Sequence, residues 1–414
     1  MEQRGLSQIE LNVISKGAYQ KQIQFDRDKH IRYFCHCLHS LPSVYSSLDT
    51  NRITLVHFAV QSLDLLGALE NKKSLPFNNN KIIEWIYSLL AHDNSGFKGG
   101  SYLGPSTDCE EKKTCPYEHS HIAMTYTALC TLVALGDDLS RIKSNEIHKS
   151  IVQHLPFLQR LTSDSTTTKK STIKDKCEGS FHCLNKKIGS EHDMRFLYCA
   201  CSVCYMLHDW SGVDTEKVMQ YIKMCHTYDG AFALVPGQEG HGGSTFCAVA
   251  SLYMMDKLHI LDEFSGFDSS TQKNHNSWRK QLLQWCIQRQ MYENGGIQGR
   301  PNKYPDTCYS YWVGATLSIL QSLSYVDTFN LSFFVLENQS PHLGGFSKIW
   351  DAPPDLLHSF YSIAWLSIHQ HHHDKAEKKN SKKQILGYSL HELDYVLGIR
   401  KSRSNAFKKH FGVC

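Results

Sequence analysis

Long hydrophobic runs are missing from this sequence of 414 residues, and so is a strong excess of one charge. No apolar run reaches the roughly 18 residues that a membrane-spanning helix needs. The first twenty residues also lack the basic-then-apolar order of a signal peptide. The 44 Lys and Arg residues against 40 Asp and Glu give a net charge of +4, too small for the basic surface of a nucleic-acid binder. We therefore expect a cytoplasmic protein with no nucleic-acid partner and no stable membrane insertion.

Strand patterns and common nucleotide-binding loops are scarce as well. Alternating β-branched residues with hairpin turns are missing, and neither a Walker A nor a GxGxxG loop occurs. Cysteine is abundant instead, with fifteen residues that lie mostly in helix-like segments, for example Cys199, Cys201 and Cys204. Such placement is typical of reduced, buried thiols, so we expect no disulfide framework.

An internal repeat runs through the chain. A Gly-containing turn is followed by a polar residue and an Ala- and Leu-rich helix, and it occurs as SGFKGG (95–100), EGSF (178–181), YDGAF (228–232), NGGIQG (294–299) and LGGF (343–346). In the last three units, His241, Asp306 and Asp355 each follow the turn by nine residues, so these helices align without gaps. Further helical patterns cover 81–91, 215–226 and 278–290. The unit is therefore a helical hairpin, present five or six times.

Stacked hairpins of about 50 residues form either an open superhelix or a closed ring. Aromatic-rich helices with polar residues at their starts favour the ring, so we predict an all-α protein, an α/α barrel or toroid, over residues 25–370. Residues 1–24 are predicted as an N-terminal extension and 162–176 as an insertion loop. Residues 371–414 are predicted as a C-terminal tail with a solvated His/Lys-rich linker. Its histidines lack a paired ligand framework, which argues against a metal site there.

Equivalent residues at the helix starts should meet at one rim of the ring, where helix N-termini favour anions. The register places His121, Arg195, Gly243, Cys308 and Leu357 at one position, and His119, Asp193, His241, Asp306 and Asp355 two residues earlier. Asp306, Cys308 and His358 offer O, S and N donors and leave one coordination position open, as catalytic zinc requires. The alternative is an N-cap Asp, a buried Cys and a helix-start His. Asp355 either caps its helix or orients His358.

The segment GRPNK adds two cations to this rim. Arg300 and Lys303, together with His241, form a candidate receptor for a diphosphate, and an ordinary solvated loop is the alternative. Aromatic residues of the inner helices could line a cavity for a long apolar tail, although such residues more often pack in a core. They are Tyr126, Phe196, Tyr198, Phe246, Tyr309, Tyr311, Trp312, Phe360 and Tyr361.

Several segments together resemble the beta subunits of protein prenyltransferases, most closely the type I geranylgeranyltransferase branch: SHIAMTYTAL, LGDDLSR, DMRFLYC, HGGSTFC, GRPNK and DTCYSYWVGATL. The resemblance extends from about Phe25 to about His369. It implies an α/α barrel, a catalytic zinc ion (Zn2+), a prenyl diphosphate donor, a CaaX-protein acceptor and an obligatory alpha subunit. It assigns the zinc to Asp306, Cys308 and His358, the diphosphate to His241, Arg300, Lys303 and Tyr309, and the isoprenoid site to Arg195, Tyr198, Gly242, Gly243 and Trp312.

The resemblance also bears on the donor. Thr54 stands where farnesyltransferases have a bulky Trp, and Lys348 stands where they have a magnesium-binding Asp. Both residues imply geranylgeranyl diphosphate as donor, with magnesium not required. Tyr361 departs from this pattern, because it is the farnesyl-type residue where type I enzymes have Phe. The positions around the last side chain of the acceptor are Thr54, His121, Ala123 and Phe196, and a Leu or Phe there fits acceptors such as Rho/Rac-type small GTPases.

The implied reaction is attack of a zinc-activated cysteine thiolate on C1 of the prenyl diphosphate, with cations that include Lys348 stabilising the leaving group. A farnesyltransferase or Rab geranylgeranyltransferase beta subunit is the alternative. Two more distant classes are a terpene cyclase and a non-catalytic helical scaffold. The cyclase would need a DDxxD or DxDD run, which is missing. The scaffold would not explain the candidate zinc ligands and basic residues.

Overall fold

The computed structural model describes residues 24–70, 75–101, 118–144, 146–161, 177–185, 190–263, 265–268, 273–376, 387 and 389–410. Its α-helices are α1 (Arg27–His39), α2 (Arg52–Leu65), α3 (Asn79–Ser88), α4 (Ile122–Leu135), α5 (Ser140–Ser144), α6 (Ile147–Leu158), α7 (Met194–Leu207), α8 (Thr215–Met224), α9 (Gly242–Met254), α10 (Ile260–Glu263), α11 (Trp278–Ile287), α12 (Thr307–Ile319), α13 (Thr328–Glu337), α14 (Leu356–Ala376) and α15 (Lys401–His410). Short 3₁₀ helices cover Ser43–Asn51, Ala68–Glu70 and Leu323–Tyr325.

Strands are few and short, as predicted. Within the described residues they form antiparallel pairs: β1 (Phe181–His182) with β2 (His192–Asp193), β3 (Ser265–Asp268) with β4 (Lys273–Ser277), β5 (Phe346–Ser347) with β6 (Pro354–Asp355), and β7 (Leu393–Asp394) with β8 (Ile399–Arg400). None joins a larger sheet, so the fold is all-α.

Six inner helices pack side by side in a closed ring. The order is α2, α4, α7, α9, α12 and α14, and α14 packs against α2 to close the circle. Each inner helix follows an outer helix, respectively α1, α3, α6, α8, α11 and α13. The inner helices are buried almost all round, because the outer helices cover one side and the interior of the ring lies on the other. The predicted α/α toroid is confirmed, and the described residues form six of its hairpins.

The turns between outer and inner helices share one construction. A backbone bridge joins Leu90 to Phe97, Gln159 to Phe181, His226 to Phe232, Gln290 to Ile297 and Gln339 to Phe346. The second residue of each pair is fully buried. Gly230 shows why glycine is needed: its φ is +96°, and a Cβ there would lie 2.8 Å from the backbone carbonyl of Gln281. The turns therefore place the N-termini of α4, α7, α9, α12 and α14 at the same rim.

The predicted register holds for the later units but is wrong in the first one. The N-caps are His121 for α4, Asp193 for α7, His241 for α9 and Asp306 for α12. His121, and not His119, is therefore equivalent to these residues. A long segment separates the turn at Phe97 from α4, so the offset of the later units does not apply there.

The C-terminal part also differs from the prediction. Helix α14 continues through His371 and His372 to Ala376, and the hairpin of β7 and β8 buries Leu393 and Ile399 against the ring. The hydroxyls of three inner-helix tyrosines donate hydrogen bonds to backbone carbonyls of this hairpin, Tyr126 to Leu397, Tyr198 to Val396 and Tyr311 to Tyr395. The segment predicted as a tail is therefore partly built into the fold, because its apolar residues cover one end of the ring.

Three further predictions concern the state of the cysteines, the lack of membrane-spanning helices, and the insertion loop and N-terminal extension. Every described cysteine is free, and all but Cys177 are buried, as predicted. In the part of the chain that the structure covers, no helix is both long and apolar enough to cross a bilayer. The predicted insertion loop at 162–176 and all of the N-terminal extension but Gln24 lie outside the described residues.

Candidate functional site

Asp306, Cys308 and His358 come together at the rim. Asp306 caps α12, Cys308 lies in the first turn of that helix, and His358 lies in the first turn of α14. One potential ligand atom from each residue lies within 4.8 Å of the other two, and no other such group of three was found among the described residues. The Asp306 Oδ1 to His358 Nε2 distance is 3.2 Å. Because α12 and α14 are neighbours in the ring, the repeat itself produces this cluster.

The electrostatics of the cluster fit a bound cation. Burial raises the pKa of the Cys308 thiol well above its usual value, and the adjacent Asp306 carboxylate raises it further. Burial disfavours the imidazolium of His358, but hydrogen bonds and charge from Asp306 and Asp355 outweigh burial and raise the pKa of His358 to about 9. A protonated His358 thus supplies positive charge between carboxylates. A zinc ion would supply that charge directly, and O, S and N donors are ligands that zinc accepts.

Asp355 fulfils both roles considered for it. Its Oδ1 accepts the backbone N–H of His358 at 2.9 Å, and its Oδ2 lies 2.6 Å from His358 Nδ1. The Nδ1–H group is thereby held by a carboxylate, which leaves Nε2 directed at Asp306. This is the arrangement by which outer carboxylates orient a metal-binding imidazole.

Lys348 adds a positive charge beside the cluster. Its Nζ lies 3.8 Å from Asp306 Oδ2, and its side chain is 58% exposed, so the ammonium stays accessible to a ligand at the rim. The backbone carbonyl of Lys348 accepts the N–H of Thr307, which anchors the loop before β6 to the start of α12.

His241 and Tyr309 form a second polar group on the same rim. His241 caps α9 through Nδ1, which accepts the backbone N–H groups of Gly243 and Ser244, and its Nε2 lies 2.8 Å from the Tyr309 hydroxyl. Burial lowers the pKa of His241, and the charge of Arg300 lowers it further, so the neutral imidazole is favoured. Gly242 packs closely on this pair, since a Cβ there would lie 3.1 Å from the Tyr309 ring.

Arg300 and Lys303 occupy the turn before α12. The backbone N–H of Gly242 donates to the carbonyl of Gly299, which joins this turn to the start of α9. Arg300 Nη1 donates to Glu239 Oε2 at 3.1 Å. The side chain of Lys303 is exposed. The charge of Arg300 thus acts on both His241 and Tyr309, and Lys303 adds an exposed cation in the same turn. This combination of groups suits a polyanion such as a diphosphate.

Arg195, His121 and Phe196 form a third group. The Arg195 guanidinium is held by Asp193, with an Nη2 to Oδ2 distance of 2.6 Å, and also by Glu191. Its Cζ lies 5.2 Å from the Phe196 ring centroid, and the His121 and Phe196 rings meet edge to face at 5.8 Å. Ala123 donates its backbone N–H to His121 Nδ1. The structure thus brings together three of the residues predicted to contact substrate from α4 and α7.

Aromatic side chains from four inner helices line the interior of the ring. Trp312 and Tyr361 lie 4.3 Å apart by ring centroids, and Tyr361 also stacks on Tyr311 at 5.0 Å. Tyr198 contacts Phe246 at 5.4 Å, and its hydroxyl donates a hydrogen bond to the Val396 carbonyl of the C-terminal hairpin. The half-buried Thr54 contacts Met124 through its hydroxyl at 3.4 Å. These residues form a largely aromatic wall.

Two features of the site were missed by the sequence reasoning. One feature is Glu239, and its position two residues before His241 is the only sequence signal that it gives. Nothing in the residue spacing indicates that it pairs with Arg300. The role of the C-terminal hairpin was hidden because the repeat pattern ends before it. Its run of Leu393, Val396, Leu397 and Ile399 could have indicated burial.

Comparisons with known proteins agree with this architecture. The family model described as "Prenyltransferase alpha-alpha toroid domain" matches residues 25–399. A geranylgeranyl transferase type-1 subunit beta from Arabidopsis thaliana is 36% identical over 352 residues, which cover 83% of this chain and 85% of that protein. The protein of the same name from Dictyostelium discoideum is 31% identical over 359 residues, covering 83% and 90%.

A solved structure shares the fold. The chain matches Candida albicans protein geranylgeranyltransferase-I, complexed with GGPP, with a TM-score of 0.71 and 24% identity over 94% of this chain and 99% of that one. The family match covers most of the chain and includes every residue of the three polar groups at the rim. The chain therefore belongs to the prenyltransferase alpha-alpha toroid family.

Proposed function

We propose that this chain is the catalytic beta subunit of a type I protein geranylgeranyltransferase. It would transfer a geranylgeranyl group from geranylgeranyl diphosphate to the cysteine of C-terminal CaaX proteins, in a heterodimer with a prenyltransferase alpha subunit. The observation that supports this proposal is that the Asp306–Cys308–His358 cluster lies on the same rim of the ring as Arg300, His241 and Tyr309. The names of the Arabidopsis and Dictyostelium relatives support the same donor and reaction.

The metal in this proposal is one zinc ion held by Asp306, Cys308 and His358. When bound, it would supply the Lewis acidity that favours the thiolate form of an acceptor cysteine near neutral pH. Asp355 orients the His358 ring through Nδ1. The burial of Asp306 and Cys308, which are 6% and 7% exposed, keeps water away from the donor atoms.

The chain's own cations and hydrogen-bond donors would bind and stabilise the leaving diphosphate. Arg300 and Lys303 would bind its oxygens, and Tyr309, held by His241, would donate a hydroxyl hydrogen bond. These groups stabilise charge that grows on the diphosphate as the C1–O bond breaks, which is where preorganised donors are most effective. Lys348 would supply the positive charge that magnesium would otherwise provide, and we predict that magnesium is not required.

The apolar tail would extend into the aromatic interior of the ring. Trp312, Tyr361 and Tyr198 offer ring faces to the isoprene units, and the exclusion of water protects the reactive carbon from hydrolysis. Thr54 is small and leaves the wall open for a fourth isoprene. Farnesyl transfer remains a second candidate because of Tyr361, whose hydroxyl narrows the same interior.

A transfer assay tests the proposal. The chain, co-expressed with a prenyltransferase alpha subunit, should transfer labelled geranylgeranyl to a peptide ending in CaaL. Cys308→Ala should abolish transfer and remove bound zinc, while donor binding survives. The matched control is Cys286→Ala, which changes a buried cysteine of outer helix α11. It should keep both geranylgeranyl transfer and bound zinc. Wild-type transfer by Cys308→Ala would refute the assigned site.

A further inference from the structure

The strongest unassigned relationship is the ion pair between Glu239 and Arg300. Arg300 Nη1 lies 3.1 Å from Glu239 Oε2, and both side chains are about half exposed, at 42% and 49%. A half-exposed ion pair of this kind contributes little to the stability of a fold. Its position on the rim therefore needs an explanation other than stabilisation of the fold.

The geometry of the contact leaves most of the guanidinium free. A guanidinium carries five N–H donors in a rigid plane. Only Nη1 of Arg300 meets a hydrogen-bond acceptor in the described part of the chain. The edge formed by Nε and Nη2 stays available for two parallel hydrogen bonds to an anion. Held at Nη1, the guanidinium can present this edge in a fixed direction.

The two residues are attached to the same structural element from opposite sides. Glu239 lies in the loop that enters α9, two residues before the His241 cap. The Arg300 turn is fixed to α9 by the hydrogen bond from Gly242 N–H to the Gly299 carbonyl, at 2.9 Å. A Cβ on Gly299 would lie 2.1 Å from the Tyr309 ring, so that ring packs directly on the turn. The ion pair thus links the Arg300 side chain to the frame that also holds His241 and Tyr309.

We propose that Glu239 is a positioning residue that orients the Arg300 guanidinium toward the departing diphosphate. The inference rests on the proposed function, in which Arg300 binds that group. Glu239 itself does not touch substrate; its carboxylate is anionic like the diphosphate and would repel it. Glu239 must therefore act by orienting the Arg300 guanidinium, and this orientation matters most when charge develops on the diphosphate in the transition state.

This reasoning predicts a separation between binding and turnover. Glu239→Gln keeps the shape of the side chain and removes its charge. The affinity for geranylgeranyl diphosphate should stay the same or increase, because a repulsive charge is lost. The single-turnover rate of transfer should fall roughly tenfold, because the neutral amide oxygen of Gln holds the guanidinium less firmly than the carboxylate does. A purely structural role would instead change the thermal midpoint and leave the transfer rate of the folded enzyme unchanged.

The experiment is a double-mutant cycle in the zinc-loaded heterodimer. Donor affinity and single-turnover rate are measured for the wild type, Glu239→Gln, Arg300→Gln and the double variant. The matched control is Glu84→Gln on outer helix α3, which breaks a surface ion pair with Arg141. This variant should behave like the wild type. We expect Glu239→Gln to slow transfer in the wild-type background and to have no further effect in the Arg300→Gln background.

Two outcomes overturn the inference. Equal slowing by Glu239→Gln in both backgrounds would show that Glu239 acts independently of Arg300. A wild-type rate for Glu239→Gln, with a slow Arg300→Gln enzyme, would show that Arg300 needs no positioning partner. In both cases the proposed function stands. If Arg300→Gln leaves affinity and rate unchanged, the diphosphate role of Arg300 in the proposed function fails, and the inference fails with it.

Discussion

The Nε2 atom of His241 lies 2.8 Å from the hydroxyl oxygen of Tyr309, and this contact has only one direction. His241 Nδ1 accepts two backbone N–H groups at the start of α9, so Nδ1 must carry the lone pair. Nε2 then carries the hydrogen and donates it to Tyr309. The Tyr309 O–H is left to donate elsewhere, and the diphosphate is the proposed acceptor.

This tautomer gives a first prediction. His241→Asn retains a side-chain cap but loses the Nε2–H donor, so transfer should slow about tenfold, the effect of one hydrogen bond of about 1.4 kcal/mol. Tyr309→Phe should slow transfer by at least as much, and the double variant should be no slower than Tyr309→Phe. Nitrogen NMR of His241 should show a neutral ring protonated at Nε2. A doubly protonated ring at neutral pH would contradict this assignment.

A second prediction concerns the support of the metal site. Asp355→Asn can still cap α14, but its amide no longer accepts the Nδ1–H of His358 with the same strength. Zinc affinity, measured by titration with a competing chelator, should fall about 10- to 100-fold. Asp214→Asn changes a capping residue of outer helix α8 and should leave zinc affinity unchanged. Unchanged affinity in Asp355→Asn would limit Asp355 to a capping role.

Much of the fold and of the metal cluster follows from the sequence. The gapless alignment of the helices that begin at His241, Asp306 and Asp355 predicts a repeated helical hairpin, and it places Cys308 and His358 on neighbouring inner helices. The aromatic-rich inner helices with polar starts favour a closed ring over an open superhelix. His121 was placed two residues out of register, because a long segment before α4 breaks the period. Glu239 could not be found, since a side-chain ion pair between two loops has no periodic signal.

The wall beside α2 gives a third prediction, about donor length. Thr54→Trp should fill space next to Met124 and exclude the fourth isoprene. At roughly 0.8 kcal/mol per buried CH₂, geranylgeranyl diphosphate should lose a few kcal/mol of binding free energy, while farnesyl diphosphate is nearly unaffected. Binding of both donors can be compared by competition, with Thr54→Val as the control that preserves the volume of the side chain. Equal losses for both donors would place Thr54 away from the end of the tail.

A fourth prediction follows from a buried histidine at the closure of the ring. His30 is 1% exposed; its Nδ1 accepts the N–H of Gly345 at 2.9 Å, and its ring stacks on Phe346. Burial lowers the pKa of His30 to about 4, although a hydrogen bond with Gln339 opposes the shift. The neutral ring is therefore required for the folded state.

The sign of the pH dependence is then fixed. The stability that the folded protein gains from a neutral His30 is complete above pH 6.5, the ordinary pKa of histidine. It is lost as the pH falls from 6.5 to about 4. The pKa shift of His30 corresponds to a loss of about 3 kcal/mol in the free energy of unfolding over this pH range. His30→Gln should be less stable at pH 7 but lose less stability on acidification, as measured by urea unfolding of the heterodimer. The exposed His36 of the same helix provides the control, His36→Gln. Parallel pH profiles for His30→Gln and the wild type would contradict the assignment.

The central claim is geranylgeranyl transfer to a CaaX cysteine, and donor competition tests it most directly. The zinc-loaded heterodimer, without added magnesium, receives equal amounts of labelled farnesyl and geranylgeranyl diphosphate together with CaaL and CaaS peptides. The account predicts that the geranylgeranyl group is transferred predominantly, and to the CaaL peptide. Predominant farnesyl transfer that depends on added magnesium would contradict it and would make Tyr361, rather than Thr54 and Lys348, the residue that indicates the donor.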